Sequence, residues 1–154
     1  MLMKNCLICQ RITAIQQHQN PWFVRELTSG YVVLADSQYF KGYTLFLAKA
    51  HVTELHLMTP AQKTRFLIEM SWVAEACALA FHADKMNIEM LGNGDAHAHW
   101  HLFPRHLGDT PKPGPVWWVD PAIMYADTAT PNATELATAK AALNQALDHV
   151  LAKY

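Results

Sequence analysis

The chain has 154 residues, with 12 Lys+Arg against 13 Asp+Glu, so its formal net charge is −1 with histidine neutral. Half of it is apolar (51%) and 16% is charged, a balance expected to fold as one domain, residues 1–154, that buries roughly two-thirds of its unfolded surface. No broad positive field is available to hold a nucleic-acid backbone or an anionic membrane, which argues against both partners. Residues 1–6 lack a basic stretch followed by an apolar core, so no secretory signal is expected. The most apolar run, Phe66 to Phe81, is interrupted by Glu69 and Glu75 and reads as a soluble helix, not a membrane span. An odd count of three cysteines is unlike a disulfide framework and fits a reducing cytoplasm.

In chain order, residues 5–18 form a candidate short helix with Leu7, Ile8, Ile12 and Ile15 inward, stopped by Asn20-Pro21. Trp22–Leu27 and Tyr31–Ala35 read as two strands around Ser29-Gly30. A loop runs from Asp36 to about Gly42, and Tyr43–Ala48 is a third strand. Thr59-Pro60 starts a helix: threonine caps free N–H groups, and proline at the first helical position gives up no hydrogen bond. That helix is expected to reach about Ala83, with Phe66, Met70, Val73, Cys77 and Phe81 on its inner face. Lys85–Leu91 alternates as a strand with Met86, Ile88 and Met90 on one face, Gly92–Asp95 is a turn, and Ala96–Pro104 is the next strand. Residues 107–131 hold five prolines and read as irregular. Asn132 with Glu135 has the form of a capping box, opening an amphipathic helix over about 132–153 that carries Leu136, Leu143, Leu147 and Leu151. Strands with two longer helices predict an α+β fold with a mainly antiparallel sheet.

The informative segment is His97-Ala-His99-Trp-His101-Leu-Phe-Pro104-Arg105. In a strand, alternate side chains share a face, so the three imidazoles project together, about 6.8 Å apart along the chain. Burying three neighbouring rings without partners is costly; an open site uses them. A neutral ring attacks or accepts a proton, and a charged one donates. His99, flanked on both sides, is the candidate nucleophile. His97 and His101 are candidates to neutralise anionic oxygens or protonate a departing group. The preceding loop offers backbone N–H groups and the Asn93 amide to phosphate oxygens. On the residues alone, a metal site or an exposed polar strand face remains open.

This pattern resembles the histidine-triad (HIT) family of nucleotide hydrolases and transferases, whose motif is H-x-H-x-H followed by two apolar residues. Cys6-Leu-Ile-Cys9, Leu34-Ala-Asp36-Ser37, Gly42 through Lys49-Ala-His51, Leu91-Gly-Asn93 and Pro113-Gly-Pro-Val-Trp117 extend the resemblance over about residues 5–118, in the manner of a compact bacterial branch. The resemblance implies a five-stranded antiparallel sheet with a long helix across it, an added C-terminal helix, and a homodimer. It implies attack by His99 on the α-phosphorus of a nucleotide, a nucleotidyl-histidine intermediate and its hydrolysis, with no metal needed for catalysis. His101 matches the residue touching the phosphate and bridging oxygen, and His97 the first triad histidine. Asp36, with Ser37, falls where ribose hydroxyls bind, and Asn93 where an amide supports the phosphate. Cys6, Cys9, His51 and His97 match a structural zinc shell of two thiolates and two imidazoles. One departure is the short loop: three residues separate Asn93 from His97, and the serine that the phosphoramidase branch carries has no counterpart.

The rival readings are a nucleotide-binding module with little turnover and a metal-dependent hydrolase or oxygenase using all three triad histidines. His18, His56, His82, His106 and His149 are expected to lack catalytic duty. Trp117 and Trp118 read as packing residues, and Arg105 as a surface or phosphate-side charge.

Overall fold

The computed structural model describes residues 3 and 5–154. The expectation of no secretory signal falls partly on Met1, Leu2 and Lys4, which lie outside the described residues. Helix α1 (Leu7–Gln16) leads into β1 (Phe23–Glu26), β2 (Gly30–Leu34) and β3 (Thr44–Ala48). Helix α2 (Pro60–Ala80), β4 (Lys85–Glu89) and β5 (His99–Arg105) follow, then α3 (Pro121–Met124) and α4 (Ala133–Leu151). The five strands form one antiparallel sheet in the order β1-β2-β3-β5-β4.

Both long helices start where local chemistry directs. Thr59 accepts from the Gln62 N–H, and Gln62 returns a bond to the Thr59 N–H. Asn132 and Glu135 reciprocate in the same way at the head of α4. Each box satisfies backbone donors that a helix start leaves open.

The helices α2 and α4 cover one face of the sheet. Val32, Leu34, Phe46 and Leu102 meet Phe66, Val73, Cys77, Leu143, Leu147 and Val150 there. Helix α1 covers the other face, packing Ile8, Ile12 and Ile15 on Tyr31, Val33 and Leu47. Strand β2 is therefore buried on both sides along its whole length, which explains its unbroken apolar run. Gly42 sits at φ +85°, and a Cβ there would lie 2.3 Å from the Phe81 ring; only glycine fits this crossing of the β2–β3 loop over the end of α2. No described helix is long and apolar enough to cross a membrane.

Several expectations need correction. Leu7 is exposed, because Cys6 caps α1 and the inward stripe begins at Ile8. Ile88 is also exposed: it lies on the edge strand β4, where no neighbour covers it. Strand β5 begins at His99, not at Ala96; the backbone turns tightly at Asp95–His97, and Ala98 bonds to Val52 and Ala48 before regular pairing starts. Residues 107–131 are not uniformly irregular, since they hold α3 and two short 3-10 turns at Val116–Trp118 and Asp127–Ala129. Trp117 and Trp118 are exposed instead of packed inside. Arg105 is buried, not a surface charge: it donates to Asp109, Asn87 and the Gly114 carbonyl, and lies over the Phe40 ring at 4.5 Å. That bonding holds the Asp109 carboxyl below its usual range.

Candidate active site

Register decides which side chains share the site. His99 faces Leu47 and His101 faces Leu45 across the β3–β5 ladder. Directly opposed residues point the same way, so both histidines stand on the face that carries α1. Trp100 and Leu102 turn to the α2 side. The His99 and His101 rings are 4.6 Å apart.

Each triad histidine has its own hydrogen-bond assignment. His99 lies 2.5 Å from the His97 carbonyl through Nδ1. A carbonyl only accepts, so Nδ1 carries the proton and Nε2 keeps a bare lone pair. No hydrogen-bond partner meets that Nε2 among the described residues. His101 Nδ1 lies 2.6 Å from the Tyr43 hydroxyl. Burial raises the Tyr43 phenol above its ordinary value, so it keeps its proton; the tautomer of His101 with N–H on Nε2 is the one in which that hydroxyl donates to Nδ1. Burial chiefly, with the charge of His99, pushes His101 down to about 4, so this ring is neutral near pH 7. Tyr43 and Phe103 stack at 4.0 Å and fix the hydroxyl in place.

His97 is turned away from the other two. Its Nε2–H donates to the Ala48 carbonyl at 2.8 Å. Its Nδ1 faces Cys6 Sγ at 3.6 Å and Cys9 Sγ at 3.5 Å. Cys9 Sγ also meets His51 Nδ1 at 3.4 Å. The four ligand atoms lie within 4.8 Å of one another. A tetrahedral zinc with ordinary bond lengths sets sulfur and nitrogen about 3.6 Å apart, so this donor set and spacing are compatible with a zinc ion. The Ala48 carbonyl orients His97 as second partners of metal-bound histidines do. Burial lowers His97 and raises the Cys9 thiol.

The remaining expected residues are dispersed. Asp36 accepts from Arg11: Nη1 reaches Oδ1 at 2.9 Å, and Nη2 pairs with Oδ2. Ser37 is buried and donates to the Met124 carbonyl at 2.5 Å. Asn93 stands exposed in the turn before His97 and makes no hydrogen bond to the triad. Three participants escaped the sequence: Tyr43, Arg11 and Glu89. Glu89 lies opposite His101 in the β4–β5 ladder, and burial raises its carboxyl. Tyr43 belongs to the odd-numbered set with Leu45 and Leu47, which points at the histidines only once the register is known.

A model of the HIT domain matches residues 18–108, and the chain belongs to the histidine-triad family. The HIT superfamily is one of nucleotide-binding proteins, many of them hydrolases or transferases. A histidine triad protein from Marinobacter aquaeolei VT8 is similar at 27% identity and a TM-score of 0.67, over 83% of this chain and 89% of that one. One from Sinorhizobium meliloti 1021 shares the fold at 23% identity and a TM-score of 0.70, over 84% and 93%. A Zn-bound histidine triad family protein from Mycobacterium smegmatis shares it at 23% identity and 0.63, over 94% and 96%. No curated protein matches.

Proposed function

We propose that the protein is a nucleotidyl hydrolase or transferase working through His99. The observation that carries this reading is the bond from His99 Nδ1–H to the His97 carbonyl, because it fixes the tautomer with a free nucleophilic Nε2. In the first step the Nε2 lone pair forms a bond to the α-phosphorus, and the bond from phosphorus to the leaving group breaks with its electron pair. Water then attacks phosphorus and loses a proton to solvent, the N–P bond returns its pair to His99, and a nucleoside monophosphate leaves. His101 presents Nε2–H to the bridging oxygen, where negative charge develops. Asp36 takes the ribose hydroxyls, with Ser37 anchoring its loop through Met124, and Asn93 supports the phosphate. A phosphoanhydride leaving group departs as an anion and needs no proton from a ring that burial keeps neutral.

Cys6, Cys9, His51 and His97 would hold a structural zinc, supported by their spacing and by the Zn-bound relative. Such an ion would tie α1 to the residue whose carbonyl orients His99. The unpaired edge of β4, with Ile88 exposed, supports a homodimer as the working form, and three free cysteines fit a reducing cytoplasm.

The test is release of nucleoside monophosphate from a panel of dinucleoside polyphosphates and phosphoramidates, with and without chelator. Wild type should turn over and His99→Ala should not, while phosphorus-labelled nucleotide is trapped on wild type alone. Wild-type rates in His99→Ala would refute the reading. The short turn between Asn93 and His97 favours the second reading, a binding module, which calorimetric binding without turnover would establish.

A further inference from the structure

Glu89 ends β4, directly opposite His101 in the β4–β5 ladder. Opposed residues stand about 5 Å apart at Cβ and point to the same face, so its side chain rises beside the triad. Asn87, two positions back, faces the same way and is tied to Arg105. Glu89 has no such tie. Among the described residues no hydrogen bond or ion pair meets its carboxylate. It feels the charge of Arg105, but Asp109 already occupies that guanidinium. A partly buried carboxylate without a partner is a cost that a structural role does not offset, and such groups mark functional sites.

The triad face is covered unevenly. Helix α1 lies over the first three strands, on Phe23, Tyr31, Val33, Leu45 and Leu47, and no β4 residue belongs to that cluster. His101 turns Nδ1 toward the Tyr43 hydroxyl on the β3 side. Its Nε2, on the other half of the ring, looks away from β3. In the reaction above this nitrogen meets the bridging atom, while Asp36, held by Arg11 of α1, takes the ribose. Whatever lies beyond the α-phosphorus then runs across β5 toward β4 and passes Glu89. Tyr43 feels the charge of Glu89, which puts the carboxylate within electrostatic reach of the His101 surroundings.

We propose that Glu89 sets leaving-group specificity: its carboxylate favours a departing group that carries positive charge and disfavours one that carries negative charge. The inference rests on the nucleotidyl-transfer reading above.

The experiment compares three adenosine 5′-phosphoramidates whose amines are near-isosteric and end in an ammonium, a methyl or a carboxylate group. In each the P–N bond breaks, its pair stays on nitrogen, and the nitrogen takes a proton from solvent. A dinucleoside polyphosphate serves as the fourth substrate. kcat/KM is measured at about pH 8, where a carboxylate raised by burial is charged, for wild type, Glu89→Gln and Glu89→Lys. The ammonium-to-carboxylate ratio should be about tenfold higher in wild type than in Glu89→Gln, the effect of two opposite contacts at a protein surface. Comparison with the variant removes the intrinsic difference between the three amines. Glu89→Lys should move the ratio past that of Glu89→Gln, and raising salt to about 1 M should shrink it in wild type alone. A structural glutamate would give neither the reversal nor the salt effect. If Glu89→Gln does not fold, the reversal in Glu89→Lys and the salt dependence of wild type carry the same test. A ratio common to wild type and the variants, or a wild type that cleaves the dinucleoside polyphosphate and none of the three amides, overturns the inference and leaves the nucleotidyl-transfer reading intact. A wild type that cleaves none of the four overturns both.

Discussion

Replacing His101 with glutamine should remove a defined acid sensitivity from the fold. In the native state burial pushes this imidazole down to about 4, against its ordinary 6.5. The unfolded chain therefore takes up a proton that the folded one refuses, and stability drops as the pH is lowered wherever the unfolded state binds more protons. The contribution is complete above pH 6.5, declines between about 6.5 and 4, and is flat below. At about 1.4 kcal/mol per pH unit, that window sets a ceiling of about 3 kcal/mol. Urea unfolding of wild type and His101→Gln at pH 7.0, 6.0, 5.0 and 4.5 yields the difference curve. His97, also lowered, adds in the same direction, and Glu89, raised, opposes it; both are present in the two proteins and largely cancel in the difference. The gap between the curves should move steadily in favour of the variant as pH falls. A gap that stays constant from pH 7.0 to 4.5 would refute the claim that this ring is held neutral by burial.

Tyr43→Phe keeps the stack on Phe103 but removes the hydroxyl partner of His101 Nδ1; turnover should drop about tenfold, the worth of about 1.4 kcal/mol of hydrogen bonding, and urea unfolding should show a loss of about 1 kcal/mol. Glu69 is buried and accepts from the Thr28 and Ser29 N–H groups and the Ser29 hydroxyl. Glu69→Ala strands those donors and should cost about 2–3 kcal/mol in urea unfolding. Metal analysis of protein purified without chelator should find about one zinc per chain, and Cys9→Ser should lower both zinc content and melting temperature; zinc-free protein with unaltered stability in chelator would remove the ion from the account.

What could be read from the chain follows how local each determinant is. The helix starts at Thr59 and Asn132 were legible because a capping box is complete within four residues. That His99 and His101 share a face was legible because strand alternation is local too; the expectation that His97 shares it fails, because His97 precedes β5 and turns to Ala48, Cys6 and Cys9. The beginning of β5 was not, because Ala98 finds its partners at Val52 and Ala48, and no periodicity reports where ladder pairing begins. Arg105 misled for a different reason. A charged residue reads as exposed until a carboxylate four positions on and a distant asparagine together satisfy it. Tyr43 and Arg11 depend on partners 58 and 25 residues away, so only the assembled sheet discloses them.

The stretch from Val116 to Ala129 leans on the β2–β3 loop: Met124 and Val116 pack with Phe40, Tyr43 and Phe103, Ser37 bonds to Met124, and the Gln38 N–H bonds to Ala129. This buttress lies downstream of the residues that the HIT domain model matches. A substitution in the buttress reaches the β2–β3 loop through Phe40, Ser37 and Gln38 without touching a histidine. The position of that loop can therefore be tuned from outside the triad.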